Sequence, residues 1–207
     1  MGPSRAAGTG SIVCISGNDG RSRIQECTID PTSYVMHTVP DRAYVSLQWS
    51  GKNNHDARLE GAKMIQSLVR SHKFAEGEKL NIFGFSHGGN VSIYAVNLGL
   101  GRKVDNLVTL GTPSRTGYHL LDPNRVGTFV NLSNSHDQIQ IRGGGNFDSS
   151  FESGSAARTQ PFALNLSFNF DSGPLGSHSI LHTPEAWDRV LPHLNLNLDD
   201  GPGTDNP

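Results

Sequence analysis

The sequence predicts an α/β protein built on a mostly parallel central sheet. Three observations lead there. Short apolar runs recur along the chain at Ser11–Ser16, Ala43–Trp49, Leu80–Phe85, Val104–Leu110, Gly127–Leu132 and Phe162–Phe168. Stretches with helical apolar spacing separate the second, third and fourth of them, and strands that alternate with helices form βαβ units whose strands run parallel. The runs end at glycine or small polar residues, so the connecting turns collect at the strands' C-terminal ends, where open α/β sheets bind ligands.

The bulk properties narrow the classes. At 207 residues the chain is long enough for one buried sheet covered on both faces. We read residues 1–10 as a flexible lead-in, 11–194 as a single domain and 195–207 as a disordered tail. The net charge of -2 arises from 17 basic and 19 acidic residues spread without blocks, so no electrostatic footprint for nucleic acid is present. Two cysteines, Cys14 and Cys27, have no metal-knuckle spacing and read as reduced thiols. Residues 1–10 hold no apolar signal region, and no run reaches the roughly 18–20 apolar residues of a membrane span. The expectation is a soluble chain, cytoplasmic or a domain of a larger exported protein.

In order along the chain, Ser11–Ser16 is a buried strand running into Gly17–Asn18–Asp19–Gly20, a turn whose backbone N–H groups can face a ligand. A short helix is expected around Arg23–Cys27, then the strand Ala43–Trp49. Between Asn54 and His72, the spacing of Leu59, Ala62, Ile65, Leu68 and Val69 predicts an amphipathic helix closed by Gly77. After Leu80–Phe85, a largely buried helix carries Val91, Ile93, Tyr94, Val96 and Leu98 and ends near Gly99–Gly101. Val104–Leu110 is halted by Gly111–Thr112–Pro113, and the polar connection 114–126 is too short for a large lid. Gly127–Leu132 leads directly to Ser133–Asn134–Ser135–His136–Asp137. Gly143–Ser155 reads as a mobile loop before the last strand, Phe162–Phe168. Gly173–Ser177 reads as a turn into His178, and Pro184–Leu191 as a closing helix with proline in its first turn.

The chemistry gathers on Gly84–Phe85–Ser86–His87–Gly88, where a strand gives way to a helix. A serine between glycines at such a turn is pushed out of the sheet edge as an exposed nucleophile. The pentapeptide is weak evidence by itself, but an acid, Asp137, follows a later strand and a histidine, His178, follows the last one. Serine, acid, histidine in that order, on those elements, resembles the α/β-hydrolases, and from about Ile12 to Leu191 the chain looks like a compact, lidless member of the lipase/esterase kind. The resemblance rests on Ile12–Gly20, Leu80–Asn90, Asn106–Pro113, Asp137 and His178–Val190. It departs at Ser16–Gly17, where many relatives carry His–Gly.

The resemblance implies a minimal three-layer α/β-hydrolase sandwich, with no cofactor and no metal. The implied activity is cleavage of a small-molecule or lipid-like carboxylic ester through an acyl-enzyme. Ser86 would attack, His178 would take its proton, and Asp137 would orient the imidazole. The backbone N–H groups of His87 and Asn18 would form the oxyanion hole. His182 is the alternative base, and Asp122 and Asp171 the alternative acids. The remaining histidines are scattered without ligand spacing, and Asp148 with Gly143–Gly145 reads as solvated loop rather than a calcium site. A thioesterase or acyltransferase would use the same three residues, and a non-catalytic binding or effector module is the rival class.

Overall fold

The computed structural model describes residues 10–17, 43–74, 76–142 and 156–196. Six strands lie in one sheet: β1 (Gly10–Gly17), β2 (Ala43–Trp49), β3 (Lys79–Phe85), β4 (Val104–Leu110), β5 (Val126–Asn134) and β6 (Leu164–Phe168). Their order across the sheet is β2-β1-β3-β4-β5-β6, and every neighbouring pair is parallel. From β1, inside the sheet, the order moves outward to β2 and returns to the other side of β1 to continue with β3. The order reverses between β1 and β3, so the C-terminal ends of those two strands flank the crevice in which open α/β sheets bind ligands.

The helices are α1 (His55–Ser71), α2 (His87–Leu98), α3 (Gln138–Arg142), α4 (Gly173–Ser179) and α5 (Pro184–Val190). Asn54 starts α1 because its side-chain oxygen accepts the Ala57 N–H at 2.8 Å, satisfying one of the orphan donors of the first turn. On one face of the sheet, Ala62, Ile65 and Val69 of α1 and Val91, Ile93 and Val96 of α2 pack over Leu80 and Ile82 of β3. On the other face, Ala186, Trp187 and Val190 of α5 close over Phe83, Val108, Leu110, Val130 and Leu132. Ile82 and Phe83 thus lie in opposite cores, as the two-residue period of a strand requires.

Several boundaries differ from the sequence reading. Helix α1 ends at Ser71 rather than at Gly77, because His72 bonds Glu78 at 2.7 Å and its ring meets Phe74 edge-on. Gly77, at φ 75°, instead makes the separate turn into β3. The expected turn Gly173–Ser177 is the body of α4, opened by Pro174. Asn195, expected to open the tail, is tied to the sheet: its N–H donates to Asn106 Oδ1 at 2.8 Å, and Lys79 Nζ donates to its carbonyl at 2.8 Å. The expected helix near Arg23–Cys27, the loop Gly143–Ser155, and the segments 1–9 and 197–207 lie outside the described residues. Among the described residues, no helix is long and apolar enough to cross a membrane.

Candidate active site

Ser86 follows β3 directly and has φ 51° and ψ −129°. A non-glycine residue held at positive φ costs on the order of 1–3 kcal/mol, and persists only where its surroundings impose it. Here they do. The Ser86 N–H still pairs with the Leu110 carbonyl of β4 at 2.8 Å, while the Ser86 carbonyl already accepts Gly89 N–H at 3.1 Å in the first turn of α2. The chain changes from strand to helix across one residue, and that turn aims the serine side chain out of the sheet.

Glycine is required beneath this turn for a measurable reason. A Cβ on Gly84 would stand 2.6–2.7 Å from the backbone of Gly88 and Gly89. A Cβ on Gly89 would stand 1.9 Å from Thr112 Oγ1. The start of α2 is therefore wedged between β3 and the segment after β4. His87 is the first residue of α2, so its N–H is one of the orphan donors of a helix N-terminus.

Asp137 sits just past β5 and is fully buried. Its N–H donates to the Asn134 carbonyl at 3.0 Å, and one carboxylate oxygen, Oδ1, accepts the Gln140 N–H at 2.8 Å at the start of α3. The other, Oδ2, lies 2.5 Å from His178 Nδ1. His178, in the last turn of α4, is only 7% exposed. Its ring packs on Phe85, with centroids 4.6 Å apart, and over Gly111, whose added Cβ would lie 3.1 Å from Cε1. Phe85 precedes Ser86, and Gly111 follows the residue that Ser86 pairs with, so the imidazole stands over the neighbourhood of the serine turn. With Nδ1 engaged by the carboxylate, Nε2 is the nitrogen left for proton exchange.

The other sequence candidates fall elsewhere. Asp122 caps the turn Pro123–Arg125 before β5 and pairs with Arg125 at 3.5 Å, at the opposite end of that strand from Asp137. Asp171 accepts the Gly173 N–H at 3.1 Å and lies 3.7 Å from His136 Nδ1. His182 ends the turn Ile180–His182. Asn18, Asp148 and Gly143–Gly145 lie outside the described residues. Among those described, no group of three or more His, Cys, Asp or Glu side chains is arranged to hold a metal ion.

Other residues around the site escaped the sequence reading. Arg58 of α1 is 1% exposed, donates to Asn53 Oδ1 at 2.8 Å, lies over the Tyr118 ring, and reaches His87 Nδ1 at 3.5 Å. Arg115 nearby has its pKa lowered by burial and by the Arg58 charge. Helical periodicity could not reveal Arg58, which occupies an inward position that an apolar residue ordinarily takes. Asn134 joins the acid loop to the histidine segment, and Arg158 bonds two carbonyls of the acid loop. An asparagine three residues before an acid is a turn signal, but Arg158 carried no local mark.

The sequence matches no protein-family model and no curated protein. Among solved structures the chain is similar to RedJ with a PEG molecule bound in the active site, at 14% identity over 92% of this chain and 96% of that one, with a TM-score of 0.52. It is similar also to the RedJ thioesterase from the prodiginine biosynthetic pathway in Streptomyces coelicolor, at 15% identity over 93% and 95%, with a TM-score of 0.50. Likeness at this identity speaks to architecture. Together with the six-stranded parallel sheet covered on both faces, it establishes that the chain has an α/β-hydrolase fold.

Proposed function

We propose that the protein is a serine hydrolase that cleaves carboxylic esters through an acyl-enzyme, with Ser86 as nucleophile, His178 as general base and acid, and Asp137 as the carboxylate that orients it. The observation that carries this reading is the buried 2.5 Å pair between His178 Nδ1 and Asp137 Oδ2, packed on the residue before the strained serine. A serine hydroxyl is too weak an acid to attack an ester unaided. His178 Nε2 takes the proton as Oγ bonds to the carbonyl carbon, and Asp137 holds the tautomer and stabilises the imidazolium. The oxyanion accepts the His87 N–H, and in this reading a second N–H from Asn18 beyond β1. Collapse breaks the C–O bond of the leaving alcohol, which His178 protonates. Water then attacks the acyl-enzyme with His178 again as base, releasing the acid and restoring Ser86.

A fluorophosphonate probe tests the assignment. Stoichiometric modification at Ser86, abolished in Ser86→Ala and strongly reduced in His178→Ala, is the expected result. A folded wild-type protein that resists the probe would instead be a binding module on this scaffold. Asp137→Asn should keep the fold and lower kcat by roughly 10³–10⁴, as loss of the correct tautomer does elsewhere. Near-normal turnover in that variant would reassign the acid.

A thioester substrate is the second reading. It needs no other catalytic group, and the similarity to a thioesterase of the same fold recommends testing it. Matched oxygen esters and thioesters of one acyl chain separate the two by the ratio of kcat/KM. A series of p-nitrophenyl esters of increasing length then reports the acyl pocket.

A further inference from the structure

Asp137 and His178 reach each other from two different connections, the turn after β5 and the helix after β6. Their 2.5 Å contact is only as well defined as the bond between those segments. Ser135 and His136 tie the turn to Phe168 and Asn169, and Asn134 carries the connection on to the residue before His178. The Asn134 side chain copies a backbone pairing: Nδ2 donates to the Phe170 carbonyl at 2.8 Å, and Oδ1 accepts the Phe170 N–H at 3.2 Å. The same Nδ2 donates to the Ser177 carbonyl at 2.7 Å, and Ser177 is the residue immediately before His178. The Asn134 carbonyl meanwhile closes the turn that holds Asp137.

Arg158 locks this turn from outside. Its Nε donates to the Asn134 carbonyl at 2.9 Å and its Nη2 to the Asp137 carbonyl at 2.9 Å. Two donors on one rigid planar group thus take two carbonyls three residues apart, a task a lysine ammonium on a flexible stem can do for only one at a time. The backbone of Arg158 is itself anchored, since its carbonyl accepts Asn131 Nδ2 at 2.8 Å from within β5. The neighbouring residue Ala157 exchanges two backbone bonds with Ser114 after β4.

We infer that Arg158 is a positioning residue for the Asp137–His178 pair, acting through the two carbonyls it clamps at Asn134 and Asp137. Its role is to hold the acid turn at the distance and angle at which Asp137 meets Nδ1, and this inference rests on the assignment of that pair to the reaction.

The test uses Arg158→Ala, Arg158→Gln and Arg158→Lys in the full chain, assayed on a soluble p-nitrophenyl ester. Arg158→Ala should lower kcat about 10- to 100-fold with KM within about twofold, because the loss falls on the chemical step. Ethylguanidinium added below denaturing concentration should restore several-fold activity to Arg158→Ala, and Arg158→Lys should fall between the alanine variant and wild type. In an Asp137→Asn background, removing Arg158 should cost less than about threefold, since a residue that acts through Asp137 has little left to act on. The low-field proton resonance of His178 Nδ1–H, read in the inactive Ser86→Ala protein, should broaden or move upfield when Arg158 is replaced. This last readout does not depend on turnover and serves if the activity of any variant is limited by folding. The inference is overturned if kcat in Arg158→Ala stays within twofold of wild type, if the loss is equally large with Asn at 137, or if the Nδ1 resonance is unchanged. If the wild-type protein neither reacts with fluorophosphonate nor hydrolyses the ester, the assignment of the site fails instead, a result distinct from all three.

Discussion

Replacing Gly89 by alanine tests whether the wedge under the serine turn is as tight as its distances state. In a helix, glycine to alanine is ordinarily favourable by about 1 kcal/mol, from lost backbone freedom in the unfolded chain. Here the new methyl would lie 1.9 Å from Thr112 Oγ1 and 2.8 Å from both Thr112 Cβ and Cγ2. Rotating Thr112 exchanges one clashing group for another and leaves Cβ where it is. Thr112 has no accessible surface to retreat into, and its carbonyl is tied to Gln140 Nε2 at 2.8 Å. The helix cannot withdraw toward β3 either, because its first turn already rests on the bare Cα of Gly84. Overpacking of this kind, relieved only by moving backbone, should cost about 3–4 kcal/mol. For a 207-residue chain that is a fall in Tm of roughly 6–16 °C. Thermal unfolding followed by circular dichroism reads it. Because the obstacle is one side chain, the alanine should become neutral or stabilising when Thr112 is changed to glycine. The reasoning fails if Gly89→Ala melts at or above wild type, or if its cost is the same with Gly at 112.

Three other outcomes follow from the same distances. Gly111 has φ 57°, and a methyl there would stand 2.9 Å from Leu181 Cδ1 and 3.1 Å from His178 Cε1; Gly111→Ala should therefore reduce kcat on a p-nitrophenyl ester at least tenfold, and an unchanged kcat would mean that the imidazole can shift freely. Asn106→Leu would remove the donor that Asn81 Oδ1 meets at 2.6 Å and the acceptor that the Asn195 N–H meets at 2.8 Å; urea unfolding should show a loss of about 2–3 kcal/mol, against little or none if the amide pair is dispensable. His119, whose pKa burial lowers from 6.5, shares a 3.2 Å hydrogen bond with Ser114 Oγ. Below pH 6.5 the unfolded chain binds the proton that the folded chain resists, so stability is lost as pH falls through that value. His119→Gln should flatten the dependence of the urea midpoint between pH 7.5 and 5.5, and an unaltered slope would remove His119 as its source.

Strands and large helices were legible because their signals are local. Ala43–Trp49 and Val104–Leu110 need only the apolar run and the glycine or serine that ends it, and the structure gives them those bounds. Ser86 was legible for the same reason, since one glycine-flanked turn determines its backbone. His178 is different. It was expected on a turn and stands at the end of α4, because the helix is imposed by local bonds, among them Ser172 N–H to Ser177 Oγ at 3.1 Å, that glycine and serine content conceals. Arg158 and Arg58 were illegible in principle. Their roles come from contacts 21 to 29 residues away along the chain, and a single arginine carries no trace of its distant partners.

The strands read as apolar runs also concealed paired polar side chains, and their arrangement bears on the site. Asn81 and Asn106 are register partners on β3 and β4 and bond at 2.6 Å. Thr109 and Asn131 are partners on β4 and β5 and bond at 2.9 Å. Asn131 and Asn165 are partners on β5 and β6 and bond at 2.9 Å. Packing of valine and leucine alone tolerates more than one alignment of parallel strands, but a slip of one residue would send each of these amides to the opposite face, opposite an apolar neighbour. Each buried polar group stranded that way costs about 1–3 kcal/mol, and with Asn81, Asn106, Thr109 and Asn131 all buried the total is comparable to much of the net stability of a domain. Register, in turn, decides which residue emerges at each strand's C-terminal end. With β3, β4, β5 and β6 pinned to one another, Ser86, Gly111 and Asp137 emerge side by side, and the helix carrying His178 starts from the strand next to them. The amides thus hold in line, from within the sheet, the groups that Asn134 and Arg158 hold together at its edge.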